Sequence, residues 1–414
     1  MIKAGYKETE LGEIPEEWEI VDLNNVADYY NGYPFEPTQW ETYGTPIIRI
    51  QNLTGSSNVI NYFNGLLESR YRISNGDLLL SWSATLNVYI WHGGDAYLNQ
   101  HIFKVLPKKN IDKMYLYNVL GIVIRKLKNE VHGSTMKHFV KSALSLVNVP
   151  VPPFYEQQKI AKILLDADDL ISSLDELITK KENIKTGLMQ ELLTKGIGHT
   201  EFKDTEIGRI PKEWKIKKIK DIATYITDGT HKTPNYVKYS QSSIPFISTE
   251  NIQPYSYEFN FSRYKRYIDE ISYIELSKRA NTEKGDLLIS KCGTIGRTQL
   301  IRKNFKLGIF VGLLLLKINY DVVNGQYLEY LLNWEKFRKI MESNSSGSTR
   351  KTLAISIFKD MSIPIPPLEE QKKIADILSD IQQEIESLEQ KREKYKMIKS
   401  GLMQQLLTGK VRVK

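Results

Sequence analysis

Thr9-Glu-Leu-Gly-Glu-Ile-Pro-Glu-Glu-Trp18 returns 196 residues later as Thr205-Glu-Ile-Gly-Arg-Ile-Pro-Lys-Glu-Trp214. A repeat of this kind sets the architecture before any secondary structure is assigned. Working outward, the other landmarks recur in the same order. Asn31-Gly32 matches Asp228-Gly229, and Asn52 matches Asn251. Gly76-Asp-Leu-Leu-Leu-Ser81 returns as Gly285-Asp-Leu-Leu-Ile-Ser290, and Gly133-Ser-Thr135 as Gly347-Ser-Thr349. Val149-Pro-Val-Pro-Pro153 returns as Ile363-Pro-Ile-Pro-Pro367, and Gly187-Leu-Met-Gln190 as Gly401-Leu-Met-Gln404. The shift grows from 196 at the tryptophan motif to 214 at Gly-Ser-Thr and then stays constant. One part of each repeat varies in length while the other is held fixed, as expected of variable recognition modules on a fixed frame.

The fixed part reads as helix. After each Pro-Pro pair, Glu156 to Thr194 and Glu370 to Thr408 run without proline. Ile160, Leu164, Ala167, Ile171, Leu174 and Ile178 are spaced alternately by four and three, a heptad seam. Ile374, Leu378, Ile381, Ile385 and Leu388 repeat that register, followed by Arg392. Each helix would be about 58 Å long at ~1.5 Å per residue. With a module between them they can return antiparallel, bringing the C-terminus back near Met1. The expected fold is α+β: two pseudo-repeat globular modules joined by a long antiparallel two-helix coiled coil in a pseudo-twofold, circular arrangement. The segments are 1–155, 156–198, 199–369 and 370–414. Pro46–Ile50, Asp77–Leu80, Ile102–Val105 and Leu313–Leu316 read as buried strands, and Tyr115–Asn129 and Gly325–Glu342 as helices.

Composition bounds the function. The 414 residues are 41% hydrophobic and 26% charged, an ordinary globular balance. The longest strongly apolar run, Leu307 to Leu316, is about half a bilayer span. Met1-Ile-Lys-Ala-Gly-Tyr-Lys-Glu8 lacks the apolar core of a signal peptide. The single cysteine, Cys292, excludes an intrachain disulfide and any multi-cysteine zinc site. A cytosolic location is expected. The net charge of +8 is uneven: residues 1–155 carry 14 basic and 15 acidic side chains, whereas 195–369 carry 28 and 19. The excess in the second region suggests a polyanion partner.

Taken together, these duplicated motifs resemble the specificity subunit of type I restriction–modification systems. The second copy adds Asp228-Gly-Thr-His231 and Gly293-Thr-Ile-Gly-Arg297, which are also familiar from that family. The resemblance spans nearly the whole chain and implies DNA recognition without catalysis. Two target-recognition domains each read one half of a split, asymmetric site in double-stranded DNA, and the helical pair spaces them. The resemblance also implies two modification subunits that methylate adenine at N6 and restriction subunits as further partners, with no membrane. By the same implication this chain carries no cofactor, with S-adenosylmethionine, Mg and ATP confined to the partners.

Candidate base readers are polar or aromatic residues beside the landmarks. In the first module they are Tyr33, Arg49, Gln51, Asn52, Trp82, Asn87, Asn99, Gln100 and His101. In the second they are His231, Lys232, Thr249, Asn251, Lys291, Thr294 and Arg297. Asn and Gln pair bidentately with adenine and Arg with guanine, while Lys mainly meets phosphate. Ser134 with Lys137, and Ser348 with Arg350 and Lys351, offer small donors plus cations suited to phosphate.

Catalytic readings fare poorly. Val151-Pro-Pro-Phe154 imitates the Pro-Pro-aromatic core of adenine methyltransferases but lacks the Asn or Asp before the prolines. Glu213-Trp-Lys215 with Asp204 imitates a nuclease, yet the first copy reads Glu17-Trp-Glu19. There is no phosphate-binding Gly-x-x-x-x-Gly-Lys-Ser/Thr loop and no metal-binding His-Glu-x-x-His, and His132 with His138 is a weak metal pair. Two other functions stay open: a free-standing DNA-binding regulator, and a coiled-coil scaffold that binds no nucleic acid.

Overall fold

The computed structural model describes residues 2–413 except 84, 131–146, 263 and 348–350. The chain divides into two compact units. Unit 1 comprises Met1–Asp175 with Lys391–Lys414, and unit 2 comprises Glu176–Gln390.

In unit 1 a four-stranded antiparallel sheet runs in the order Ala27–Asn31, Ile102–Pro107, Leu78–Ser81, Asn87–Ile90. A second sheet is ordered Asn61–Phe63, Thr45–Ile48, Ala96–Leu98, Arg72–Ile73, with its two middle strands parallel. Unit 2 repeats this plan. Its antiparallel sheet is Ala223–Asp228, Leu313–Ile318, Leu287–Ser290, Thr298–Leu300, and its second sheet is Tyr267–Ile268, Ile244–Ile247, Gly308–Ile309. Again the last two of these pair parallel. The strands expected from Pro46, Asp77, Ile102 and Leu313 are all present. Leu78–Ser81 and Leu287–Ser290 are buried along their whole length, as unbroken apolar runs require.

Much of the length difference falls between Asn52 and Gly76, where the second copy gains ten of its 18 residues. Unit 2 has the helix Glu270–Ser277 there. The expected first-module helix is Lys113–Glu130. The second-module helix differs from expectation: it breaks at Trp334, whose ψ of 135° is extended, into Gly325–Asn333 and Glu335–Ser343.

The long helices are Phe154–Lys195 and Leu368–Leu406, each starting right after its Pro-Pro pair rather than at the following glutamate. Proline is tolerated just before a helix because its missing N–H would be unpaired there anyway. Within unit 2, Lys181 pairs with Glu384 at 2.7 Å and Lys185 donates to Gln382 at 2.6 Å. Within unit 1, Asp168 accepts from Lys399 at 2.5 Å and Asp175 from Arg392 at 3.0 Å. Partner numbers run in opposite directions, so the segments are antiparallel. Ile178, Ile381 and Ile385 bury together with Leu388 as an apolar seam. Toward the helix ends the seam residues serve the modules instead. Ile160 and Leu164 join the unit 1 core with Met403, Leu406 and Leu407, and Ile374 and Leu378 join the unit 2 core with Met189 and Leu193. Ala167 and Ile171 are half-buried, whereas Leu174 is buried.

The duplicated tryptophan motif is a latch. The Trp18 indole N–H donates to Glu156 at 3.0 Å, and Trp214 donates to Glu370 at the same distance. Both indoles are fully buried. Glu156 also takes a bidentate guanidinium from Arg412, and Glu370 a contact of 2.9 Å from His199. The neighbouring glutamines close the Pro-Pro turns: Gln157 donates to the Pro152 carbonyl and Gln371 to that of Pro366, both at 2.8 Å. Tyr115 and Tyr327 donate likewise to the Pro150 and Pro364 carbonyls. The Tyr6 hydroxyl donates to the Lys410 carbonyl, so the segment that follows the helix Leu368–Leu406 packs beside the strand Tyr6–Thr9.

Candidate nucleic-acid interface

Unit 2 gathers its candidates around one buried carboxylate. The strand Ala223–Asp228 ends where Gly229 passes the backbone of Ile309 so closely that a Cβ would lie 2.2 Å from the Ile309 carbonyl oxygen. Only glycine allows that approach, and it sets Thr230 in a parallel bridge with Phe310. Asp228, with its side chain 3% exposed, then faces Lys291 at 2.5 Å, His231 at 3.3 Å and the Arg279 guanidinium. Burial pushes the Asp228 carboxyl up, but the hydrogen bonds from Lys291 and Arg279 together hold it below the usual carboxylate range. Lys291 is largely buried, while Arg279 and His231 reach solvent. One acid thus orders three donors, two of them at the surface.

The next turn is stapled by the serine that ends Gly285-Asp-Leu-Leu-Ile-Ser290. Ser290 Oγ donates to the Thr294 carbonyl at 2.5 Å and accepts the Arg297 N–H at 2.8 Å. Gly293 and Gly296 take the left-handed φ values of +72° and +82° that this turn demands. Thr294 is exposed at its tip. Arg297 is half-buried, and burial followed by the neighbouring Arg338 pulls its guanidinium below the ordinary value. Bridges from Thr352 to Cys292 and Ser346, with the Leu353 N–H donating to the Lys291 carbonyl, bring Gly347 and exposed Lys351 alongside. Lys232 is exposed and Thr249 half-buried.

Unit 1 has the same frame with different side chains. A Cβ on Gly32 would lie 2.2 Å from the Leu98 carbonyl, and Tyr33 bridges Asn99 in parallel. Ser81 Oγ donates to the Thr85 carbonyl at 2.5 Å and accepts the Asn87 N–H at 3.0 Å, the same staple. Asn31 stands where unit 2 has Asp228, and Trp82 where it has Lys291. Trp82 meets the His101 ring edge-on at 5.4 Å, and the Gln100 amide is 3.4 Å from His101. Tyr33 packs edge-on against Phe35 and Tyr71. The Arg49 guanidinium lies 4.6 Å above the Trp40 ring, a cation–π contact that fixes its plane. Gln51 and Asn87 are half-buried, and Asn99 is buried.

Two expected base readers have their amides engaged within the fold. Asn251 is 1% exposed; its amide oxygen accepts the Ser248 N–H, and its nitrogen donates to the Asn260 and Tyr264 carbonyls. Asn52 does the same locally, accepting from the Arg49 N–H and donating to the Val59 carbonyl. Both amides brace loops. Ser134, Lys137, Ser348 and Arg350, like His132 and His138, lie outside the described residues. Sequence reasoning missed Arg279, which follows the helix peculiar to the second copy and carries no motif. It also missed the two serine staples, although each motif ends on that serine. Among the described residues no group of three or more His, Cys, Asp or Glu side chains could hold a metal ion. Nor is any helix among the described residues long and apolar enough to cross a membrane.

Comparison with known proteins agrees with this duplication. The model of the type I restriction modification DNA specificity domain matches twice, over residues 15–185 and 211–396. The specificity subunit of the type I restriction enzyme MjaVIII from Methanocaldococcus jannaschii is 28% identical over 428 aligned residues, covering all of this chain and 97% of the relative. That of the Escherichia coli enzyme EcoBI is 23% identical, covering 87% and 78%. The fold matches the S subunit of a type I system from M. genitalium at a TM-score of 0.56 and 13% identity, covering 94% of this chain and 96% of that one. A chain solved in work on complex assembly and conformational transition of the type I R-M system matches at 0.57 and 16%, covering 96% and 99%. With two matched copies of its domain in tandem, the chain belongs to the type I restriction–modification DNA specificity family.

Proposed function

We propose that this protein is the DNA-recognition subunit of a type I restriction–modification complex, reading an asymmetric bipartite site and recruiting modification and restriction subunits. It is not itself an enzyme. The observation that carries this reading is one loop frame used twice with different chemistry. Each unit has the tight glycine, the parallel bridge and the serine-stapled turn. Unit 1 fills that frame with aromatic and amide groups, unit 2 with an acid-ordered set of cations. Two half-sites of different sequence follow, and the target need not be a palindrome. The two cationic loops of unit 2 suit phosphate and guanine, and the stacked Arg49 suits guanine.

Base and phosphate contacts are separable by experiment. Binding would be measured across a set of duplexes with the modification subunits present. Arg49→Ala should lose discrimination at one base pair of one half-site while leaving the other intact. Arg297→Ala, beside Arg338, should weaken binding about equally on all sequences and reduce the salt slope by roughly one. Absence of any salt-dependent DNA binding would favour the scaffold reading. Tight specific binding by the chain alone, unchanged by modification subunits, would favour the regulator.

A further inference from the structure

The two units part company where the module helix meets the long helices. In unit 2 a loop of the chain plugs this place. The Tyr255 ring stacks on Tyr330 at 4.6 Å and 18°, and Lys185 Nζ lies 3.8 Å from the Tyr255 ring centroid on its way to Gln382. The Tyr255 N–H donates to Glu329 at 2.9 Å. Tyr255 holds φ at +68°, a left-handed conformation that a bulky side chain adopts only when its surroundings impose it.

Unit 1 has the frame without the plug. Tyr115 and Tyr327 make the same bond to the Pro-Pro lead-in, which aligns Asn118 with Tyr330. Lys399 corresponds to Lys185 in the long helices. The stretch matching the Tyr255 loop, Leu53-Thr-Gly-Ser-Ser-Asn58, has no aromatic residue. In its place is a cavity of about 320 Å³ whose lining includes Asn118, Arg125, Lys128, Lys396 and Lys399. Asn118 is 3% exposed; its amide nitrogen donates to the Met114 carbonyl, and its buried Oδ1 has no donor among the described residues. A buried acceptor left in that state is costly unless a ligand supplies the donor. Four cations line it, against carboxylates at Asp168 on Lys399 and Glu393 on Lys396.

We propose that this cavity is a docking pocket for an aromatic side chain flanked by carboxylates on a modification subunit, and that unit 2 does not offer it. The proposal rests on the function proposed above. The internal precedent is a polypeptide ring that enters between a lysine and the module helix while its main-chain N–H donates to a helix side chain. The cationic lining adds the requirement for acidic neighbours. The lining belongs chiefly to the module helix and the C-terminal helix, with Asn87 and Val88, at the start of the strand that leaves the serine turn, completing it. The two modification subunits are therefore held unequally, because only one of them gains this anchor.

Native mass spectrometry of the full chain titrated with its cognate modification subunit tests this. The wild type should take up two subunits in resolved steps. Ser400→Trp, which fills the cavity, should weaken one step at least tenfold and leave the other unchanged. Lys128→Glu with Lys396→Glu, both at exposed positions, should do the same, and decides the matter if Ser400→Trp fails to fold. Wild-type uptake by the folded variants would overturn the pocket while leaving the proposed function intact. Equal weakening of both steps would overturn the inequality. Loss of Lys396 amine labelling on adding adenosine monophosphate or duplex DNA alone would also overturn the proposal, in favour of a nucleotide ligand. A wild-type chain that binds no modification subunit would overturn the function itself.

Discussion

Asp228 and Glu156 show what a single buried carboxylate does in this fold. Asp228 sets the positions of Lys291, Arg279 and His231. Asp228→Asn keeps the volume but removes the charge. It should relax the half-site read by unit 2 and leave that of unit 1 unchanged, as scored by methylation of duplexes with single base-pair changes. The acid limb follows from the depressed native carboxyl. Its contribution to stability is present above the unfolded carboxyl value near ~4 and is lost as pH falls toward the lower native value. Glu156 acts on stability. Glu156→Ala leaves the buried Trp18 indole without its acceptor and Arg412 without its bidentate partner. A loss of about 1–3 kcal/mol or more is expected in urea unfolding. No change would mean that the tryptophan motif is not a latch.

At the scale of elements, the glycine turns and the Tyr255 clamp carry the sharpest expectations. Gly32→Ala and Gly229→Ala each force a methyl group onto a carbonyl oxygen 2.2 Å away. Either should destabilise its unit by at least the ~1–3 kcal/mol typical of overpacking. Lys185 is different in kind. Burial lowers its amine to about 8 against the upward pull of Glu329, Glu386 and Glu182. Its neighbours are Gln382 and the rings of Tyr255 and Tyr330. The native value lies below the unfolded value of ~10.4, so between pH 8 and that value the unfolded chain binds more protons. Stability from this group therefore rises with pH across that window. The Lys185 Cε resonance should titrate near pH 8, and a midpoint near 10 would contradict the clamp.

Elements also show how much was legible beforehand. The strands around Leu78 and Leu313 and both long helices could be read, because apolar runs and heptads are local signals. The break at Trp334 could not, since no proline or glycine marks it. Nor could the fate of the heptad ends, where Ile160 and Ile374 pack into modules far away in sequence. In the candidate site, the motif glycines mark the loops that share the tight turn and the serine staple in both units. Which amides were free did not show, because Asn52 and Asn251 are occupied by carbonyls that only folding brings near.

At the scale of the whole molecule, we propose that one chain joins two unlike readers through a helical spacer of fixed length. Removing one turn in register from both Phe154–Lys195 and Leu368–Leu406 should change the accepted spacer between half-sites and leave the half-sites themselves unchanged. Methylation of a duplex library with varied spacers measures this directly, and an unchanged spacer would remove the helices from that role. The most direct test of the central claim is methylome sequencing of a host lacking its own methylases. The chain would be expressed with a cognate modification subunit, and a control would omit the chain. The account predicts a split, asymmetric N6-methyladenine motif that appears only when the chain is present. No new methylation from a soluble, assembled and catalytically competent complex would contradict it.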